Sequence, residues 1–304
     1  MSSPTPAANP ANAFFAGGLA RGLGLALRLS QRVAPAVATR VALRLFFTPL
    51  PLRLAARRRA VPAPWRVEHW PFEQGTLAVY RREGVDAATR PTVLLAHGWA
   101  GDAMQMLTLA DAVAQAGLNP VLLDFPAHGR SPGWRATLPQ FSRALWAASS
   151  RLGPLHAVVA HSLGAVAAAH ATANGLPVQR LALLAPSPPP AQFLGWFGRS
   201  LGLGEGISQR MGTAIERVEG VPLGRFEPAW LGPRLALPTL VVRDEDDRIS
   251  PPVVGQRLAQ AIAAAQLVTT RGLGHRRMLA DANVAAAVAR HLLDEGERPN
   301  RSEM

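Results

Sequence analysis

The sequence feature that most constrains the fold is the run Val158-Val159-Ala160-His161-Ser162-Leu163-Gly164-Ala165. An apolar stretch ends here at a serine that lies between small residues, and an alanine-rich helical pattern begins directly after it. Such a run predicts a strand, a very tight turn and a helix, with the serine oxygen accessible at the tip of the turn. The usual pattern has glycine at the first small position, where this chain has Ala160. A serine that only caps the following helix is the alternative interpretation.

Strand and helix patterns alternate along most of the chain. Residues 65–70 and 76–81 are predicted to form an antiparallel pair. Further strands are predicted at 92–96, 120–124, 155–160, 179–184, 238–242 and 266–270, with helices near 103–116, 138–151, 163–174, 252–264 and 281–294. This alternation predicts the α/β class, with a mostly parallel eight-stranded sheet covered by helices on both faces.

The interval between Leu184 and Pro238 is too long for a simple connection. It begins with a proline-rich segment and then carries apolar residues at helical spacing, among them Phe193, Trp196, Phe197 and Leu201. We predict a helical cap at about 186–235, lying over the serine. Its aromatic residues either form the core of the cap or line an apolar acyl site.

A nucleophilic serine needs a base, and only three histidines follow Ser162. His170 lies two turns into the helix that begins at the serine, so we interpret it as a packing residue. His291 lies in the terminal helical pattern and is expected at the surface. His275 follows a predicted strand and a Gly-x-Gly turn, which is where a base must lie to reach a serine at the carboxyl edge of the sheet.

An acid and hydrogen-bond donors are also expected at strand ends. The predicted strand 238–242 leads into four consecutive carboxylates, Asp244, Glu245, Asp246 and Asp247. One of them is expected to face the histidine, and the others fit a solvated turn. The strand 92–96 ends in His97-Gly98-Trp99, where glycine lets a backbone N–H point at a reacting carbonyl.

These segments together resemble the α/β-hydrolase superfamily, from about Trp65 to Leu293. The resemblance rests on five segments: His97-Gly98-Trp99, Asp124-Phe125-Pro126-Ala127-His128-Gly129-Arg130-Ser131, Ala160-His161-Ser162-Leu163-Gly164, Asp247-Arg248-Ile249-Ser250-Pro251 and Gly274-His275. It implies a large hydrolase domain over residues 65–295. The serine argues against epoxide hydrolases and haloalkane dehalogenases, which share the fold but use an aspartate nucleophile.

The resemblance also implies residue roles. Ser162 would be the nucleophile, His275 the general base and Asp247 the acid, with Asp244 and Asp246 as alternatives for the acid. The backbone N–H groups of Trp99 and Leu163 would form the oxyanion hole. Four neighbours are expected to support the site: His97, Gly98, His161 and Gly164.

The expected function is a serine hydrolase that cleaves a small carboxylic ester or thioester through an acyl-enzyme intermediate. The alternatives are an acyltransferase or carrier thioesterase on the same fold, or a non-catalytic binding protein on a hydrolase scaffold. No cofactor is predicted. No metal site is predicted either, because the chain has no cysteine and no segment in which histidines and carboxylates have the spacing of metal ligands. Arg276 and Arg277, which follow the predicted base, either face solvent or pair with the nearby carboxylates, or bind an anionic group of the substrate.

Positive charge is concentrated at the start of the chain. All 32 basic residues are arginine, and ten of them precede the first carboxylate, Glu68. Residues 1–64 are therefore interpreted as a basic, partly helical extension, with helices over 13–33 and 36–47. Nucleic acid is not expected as a partner, because the arginines are interleaved with apolar residues and no nucleic-acid motif accompanies them.

The helices of this extension have two alternative locations. Either they pack on the body with their arginines outward, or residues 13–59 lie on an anionic membrane surface. Val37, Val41 and Leu45 form an apolar stripe on the second helix. We expect a cytoplasmic protein, peripheral to the membrane in the second case, with a disordered tail at 296–304.

Overall fold

The computed structural model describes residues 18–49, 59–84 and 89–294. Eight strands form one sheet: β1 (Trp65–Phe72), β2 (Gly75–Arg82), β3 (Thr92–Ala96), β4 (Asn119–Asp124), β5 (Leu155–His161), β6 (Val178–Leu184), β7 (Thr239–Asp244) and β8 (Ala265–Thr270). Their spatial order is β1-β2-β4-β3-β5-β6-β7-β8, and β2 alone runs against its neighbours. The predicted eight-stranded, mostly parallel sheet is confirmed.

The described residues also form α-helices and short 3₁₀ turns. The helices are α1 (Gly18–Val33), α2 (Pro35–Phe46), α3 (Leu107–Gln115), α4 (Leu138–Leu152), α5 (Leu163–Ala173), α6 (Pro190–Leu201), α7 (Glu205–Glu219), α8 (Pro228–Leu231), α9 (Pro252–Ala261), α10 (Gly274–Arg277) and α11 (Ala282–Leu293). The 3₁₀ turns are Ala103–Met106, Leu223–Phe226, Gly232–Arg234 and Met278–Ala280. Within the three described ranges, every helix is too short or too polar to cross a membrane.

The sheet is buried on both faces because its central strands are apolar along their whole length. Along β3, Val93 and Leu95 point into one hydrophobic cluster, while Leu94 and Ala96 point into the other. The first cluster packs against α3 and α11, and the second against α4, α5 and α9. This two-sided burial explains why the strands read as continuous apolar runs in the sequence.

His291 lies inside this packing, so its predicted surface location is wrong. The ring is buried between α11 and the sheet, where its Nε2–H donates to the Leu181 carbonyl at 2.9 Å. The hydrogen bond compensates the polar group for the loss of water. His170 is buried as predicted, and its ring packs on Phe226 and Trp230.

The connection between β6 and β7 forms the predicted helical cap. Its helices α6 and α7 pack on each other and on the N-terminal hairpin, which we define as α1 and α2. Buried residues from both units form a third hydrophobic cluster, which includes Leu27, Ala38, Ala42, Phe197, Leu201 and Met211. The hairpin therefore packs on the body of the protein, which was one of the two predicted locations.

Of the apolar stripe predicted on α2, Leu45 packs against the third hydrophobic cluster, but the two valines do not. Val37 and Val41 are exposed, whereas Ala38 and Ala42 are fully buried against the cap. Alanine allows the helix backbones to approach closely, so the smaller side chains form the interface. Parts of the predicted extension, residues 1–17 and 50–58, and the predicted tail at 296–304 lie outside the described residues.

Candidate active site

Ser162 lies at a strained turn between the central strand and the following helix. β5 ends at His161, α5 begins at Leu163, and Ser162 itself has φ 55° and ψ −120°. A positive φ costs a non-glycine residue on the order of 1–3 kcal/mol, so the surrounding structure must hold it in place. The Ser162 N–H donates to the Leu184 carbonyl of β6 at 2.9 Å, which anchors the turn to the neighbouring strand.

Two glycines are required by close backbone approach at this turn. A Cβ atom on Gly164 would lie 2.2 Å from the carbonyl oxygen of His97, and one on Gly98 would lie 2.7 Å from the Cβ of Ser162. These distances are too short for any side chain. The turn after β3 thus packs directly against the serine turn, and the supporting roles of Gly98 and Gly164 in the site stay predictions.

The structure brings Ser162, His275 and Asp247 into one hydrogen-bonded chain. The Ser162 hydroxyl lies 2.9 Å from Nε2 of His275, and Nδ1 of the same ring lies 2.7 Å from Oδ2 of Asp247. All three residues are buried, although they come from three different strand ends. A serine, a base and an orienting acid in this order form the geometry of an activated nucleophile.

The neighbouring carboxylates have other partners. Asp244 accepts the N–H groups of Leu273 and Gly274, which hold the loop that carries His275. Burial raises the pKa of Asp244, but hydrogen bonds from the Thr270 hydroxyl and the backbone outweigh it and hold that pKa below its usual value. Asp246 accepts the Gly272 N–H. Asp247 is thus the carboxylate in this loop that reaches His275.

The predicted oxyanion donors lie on either side of the serine. Leu163 is the first residue of α5, so its N–H is one of the groups at a helix N-terminus that lack an intrahelical acceptor. Trp99 lies in the turn after β3, and no described residue accepts its N–H or that of Leu163. The helix dipole of α5 adds partial positive charge at the same place.

Two buried histidines fix the turn that carries Trp99. Nδ1–H of His97 donates to the Gly98 carbonyl at 2.7 Å, and Nε2 of His128 accepts the Ala100 N–H at 3.0 Å. Burial lowers the pKa of His97, more than the nearby Asp124 raises it, so the ring stays neutral. A neutral ring can offer one donor and one acceptor, and His97 also accepts the Phe125 N–H.

His161 contacts His275 from the other side. Its Nε2–H donates to the backbone carbonyl of His275 at 2.9 Å, and the two ring centroids are 4.6 Å apart. Burial, followed by repulsion from His275, lowers the pKa of His161 well below its ordinary value. His161 therefore acts on the position of His275 as a neutral ring.

Ser162 lines a cavity whose other walls are almost wholly apolar. The cap contributes Phe193 and Ile215, the 3₁₀ turn after α7 contributes Leu223 and Phe226, and the start of α4 contributes Leu138. An aromatic residue of the cap thus lines the site, whereas Phe197 and Leu201 belong to the cap core, so both predicted uses of the aromatic stripe occur.

The sequence did not identify two residues of this cavity. Phe46 and Phe47, at the end of α2, line it together with the cap. Phe46 packs edge-on against Phe197, at a centroid distance of 5.1 Å. An aromatic pair that ends an amphipathic helix was the available signal, but more than a hundred residues of sequence separate this pair from Ser162.

Arg276 and Arg277 do not line this cavity. Arg277 instead donates to the Gly272 carbonyl at 2.6 Å, and both side chains belong to exposed residues of α10. Arg277 also lines a separate surface pocket together with Arg248 and His275, so the hypothesis that one of the two arginines binds an anionic group of the substrate stays a prediction.

Two family models match the chain. A model described as serine aminopeptidase, S33, matches residues 87–203, and one described as TAP-like protein matches residues 224–304. No curated protein sequence matches the chain at a significant level. The first model spans the strand ends that carry Trp99 and Ser162, and the second spans those that carry Asp247 and His275.

Several solved structures are similar to this one. An esterase from Pyrococcus furiosus is 18% identical, with a TM-score of 0.59 over 78% of this chain and 95% of its own. A membrane phospholipase A described as a bacterial virulence factor is 18% identical, with a TM-score of 0.58 over 88% of this chain and 96% of its own. Est1E from Butyrivibrio proteoclasticus, solved with ferulic acid bound, is 15% identical, with a TM-score of 0.56 over 74% of this chain and 96% of its own. At these identities the similarity concerns the fold. The family models and the shared fold together place this chain in the α/β-hydrolase superfamily of enzymes.

Proposed function

We propose that this protein is a serine hydrolase that cleaves an uncharged carboxylic ester or thioester through an acyl-enzyme intermediate. The observation that carries the proposal is the chain of hydrogen bonds from Ser162 to His275 to Asp247, at 2.9 and 2.7 Å, which ends in an apolar cavity. A non-catalytic binding protein would have no need for a strained serine that is aligned with a base.

Acylation begins when the Ser162 oxygen attacks the substrate carbonyl and its proton passes to Nε2 of His275. The carbonyl oxygen becomes an oxyanion, which the N–H groups of Leu163 and Trp99 stabilise. Asp247 holds Nδ1–H and stabilises the imidazolium that forms. His275 then gives its proton to the leaving alcohol or thiol, and the tetrahedral intermediate collapses to an acyl-serine.

Deacylation repeats these steps with water. His275 takes a proton from a water molecule, the resulting hydroxide adds to the acyl carbonyl, and the same N–H groups stabilise the second oxyanion. Collapse of this intermediate returns the proton to Ser162 and releases the carboxylic acid. An acyltransferase would place an alcohol or amine where this water acts, so product analysis with added acceptors distinguishes the two reactions.

The cavity lining favours an apolar acyl group over a peptide N-terminus. Among the described residues that line the cavity, none carries a carboxylate, and the polar ones are limited to serine and threonine hydroxyls. An aminopeptidase must bind the substrate ammonium group, and burying that charge without a partner is costly. An uncharged acyl chain instead gains about 0.8 kcal/mol for each CH₂ group that it buries.

The test compares Ser162→Ala with a matched control, Ser187→Ala. Ser187 also lines the cavity, but its hydroxyl contacts the Pro188 carbonyl and not the base. On p-nitrophenyl butyrate we expect Ser162→Ala to lower kcat by about 10⁴-fold or more, and Ser187→Ala to change it only a few-fold. A fluorophosphonate probe should label wild type and Ser187→Ala only. Activity or labelling that survives in Ser162→Ala would overturn the proposal.

A further inference from the structure

The N-terminal hairpin has a second face, which the cap does not cover. Five aliphatic side chains of the hairpin are exposed to solvent: Leu25, Leu29, Val33, Val37 and Val41, at 60%, 63%, 88%, 49% and 37%. The first three recur at i, i+4 and i+8 along α1, and the last two at i and i+4 along α2. Each helix thus carries an apolar stripe toward solvent in addition to the face that packs on the cap.

Arginines flank both stripes. Arg32 on α1 and Arg40 and Arg44 on α2 are exposed, and no carboxylate of the described residues pairs with any of the three. The sequence contains no carboxylate before Glu68, so the hairpin cannot neutralise itself. We call the five aliphatic side chains and these three arginines the outer hairpin face.

The outer hairpin face adjoins a groove that leads toward the catalytic cavity. Arg40 and Arg44 line this groove together with Trp134, and Arg44 stacks over the Trp134 ring at 5.3 Å. Phe47 and Ile215 line both the groove and the cavity that contains Ser162. The groove and the cavity thus share two lining side chains.

We propose that the outer hairpin face docks on the surface of an anionic phospholipid bilayer. Exposed aliphatic side chains between arginines match the boundary between headgroups and acyl chains, where arginine binds phosphate and the apolar side chains leave water. An exposed tryptophan next to them suits the same depth. Nucleic acid would use the arginines but gives no role to five exposed aliphatic side chains.

Docking in this orientation places the groove against the membrane. A lipid-borne acyl chain then reaches Ser162 by displacing Phe47 and Ile215 and does not cross bulk water. This consequence rests on the proposed hydrolase function, whereas docking itself does not.

The experiment is flotation of the full-length protein with two kinds of vesicle, pure phosphatidylcholine and an equal mixture of phosphatidylcholine and phosphatidylglycerol. We expect the wild type to float with the anionic vesicles at 50 mM salt, to be released by 0.5 M salt, and to stay behind with the neutral ones. The triple variant Arg32→Gln/Arg40→Gln/Arg44→Gln should partition about 100-fold less. Leu29→Glu/Val33→Glu should lose binding by at least about tenfold, since it removes apolar contact and adds negative charge.

Matched controls separate the face from overall charge. The triple variant Arg90→Gln/Arg257→Gln/Arg290→Gln removes the same charge from exposed positions elsewhere, and Val253→Glu changes a valine that is 44% exposed on α9. Both should float like the wild type. All of these variants should hydrolyse p-nitrophenyl butyrate at the wild-type rate, and the inactive Ser162→Ala variant should still float, so a failure of docking and a failure of the hydrolase function remain distinguishable.

Three results would overturn the proposal. In the first, the wild type floats equally with anionic and neutral vesicles. In the second, the distant arginine triple loses binding as strongly as the hairpin triple. In the third, light scattering finds a dimer that Leu29→Glu/Val33→Glu converts to a monomer, while the wild type floats with neither vesicle. A second copy of the chain would then cover the outer hairpin face.

Discussion

Replacing Asp247 by asparagine tests which carboxylate orients the base. Oδ1 of Asp247 accepts the N–H groups of Ile249 and Ser250, both at 2.8 Å, and Oδ2 faces Nδ1 of His275 at 2.7 Å. Every group around this carboxylate is therefore a donor. Asparagine offers one oxygen and one NH₂ group, so on one side a donor must meet a donor.

The oxygen should stay with the two backbone N–H groups, because the opposite orientation would lose two hydrogen bonds to keep one. The NH₂ group then faces Nδ1 of His275, and the ring adopts the tautomer with its proton on Nε2. In that tautomer Nε2 cannot accept the proton of Ser162. We expect kcat to fall by about 10⁴-fold, which equals about 5.4 kcal/mol of activation free energy.

The assay is steady-state hydrolysis of p-nitrophenyl butyrate at 25 °C, with Asp246→Asn and Asp244→Asn alongside. Asp246 accepts one N–H, from Gly272, and an amide oxygen can still accept it, so Asp246→Asn should retain near wild-type activity. Asp244→Asn should mainly lower Tm by several degrees, because that carboxylate holds the loop of His275. Equal, small losses of kcat in all three variants would refute the role assigned to Asp247.

Two further predictions concern packing and pH. Gly98→Ala should lower kcat at least about 100-fold, because its new Cβ would lie 2.7 Å from the Cβ of Ser162. The control is Gly206→Ala on α7, where a Cβ would meet open space and kcat should not change. A Gly98→Ala variant with unchanged kcat would contradict the close approach. Burial, and to a smaller extent the charge of Arg225, lowers the pKa of His170 from 6.5 to about 4. Between pH 4 and pH 6.5 the unfolded chain therefore binds more protons at this residue than the folded protein does. The stability that the neutral ring contributes is present above pH 6.5 and is lost as pH falls toward 4. The loss is about 2 kcal/mol, which is less than the full pKa shift would give, because solvent screens part of the shift. Between pH 7 and pH 4.5, the free energy of unfolding measured in urea should fall less for His170→Phe than for the wild type. An equal fall in both proteins would mean that His170 is not buried as a neutral ring.

Local sequence was sufficient for the centre of the sheet because the central strands are buried on both faces. A buried parallel strand must be apolar along its length and must end where the chain turns toward solvent, so runs such as Thr92–Ala96 carry their own boundaries. The serine turn was also predictable, since the strain at Ser162 requires small neighbours, and Gly164 meets a backbone oxygen. Both features depend on residues that are close together in sequence.

Long-range contacts could not be read in the same way. Local sequence does not distinguish which of four consecutive carboxylates faces a histidine. The tertiary fold places Asp247 beside His275. On α2, Val37 and Val41 and their neighbours Ala38 and Ala42 both form stripes at helical spacing. Hydrophobicity favours the valines as the packed face, whereas the small volume of alanine allows the closer helix contact, and the structure follows the second factor.

The charge distribution gives the proposed docking a direction as well as an affinity. Ten arginines precede Glu68, while the rest of the chain has nearly balanced charge. Of these ten, Arg32, Arg40 and Arg44 lie on the outer hairpin face, so an anionic surface attracts this face more strongly than it attracts the part of the chain after Glu68. Since Phe47 closes the cavity on that same side, the field that attracts the protein also turns its acyl cavity toward the lipid. A basic patch placed elsewhere, such as Arg257 or Arg290, would attract the protein equally well but would leave the groove facing water.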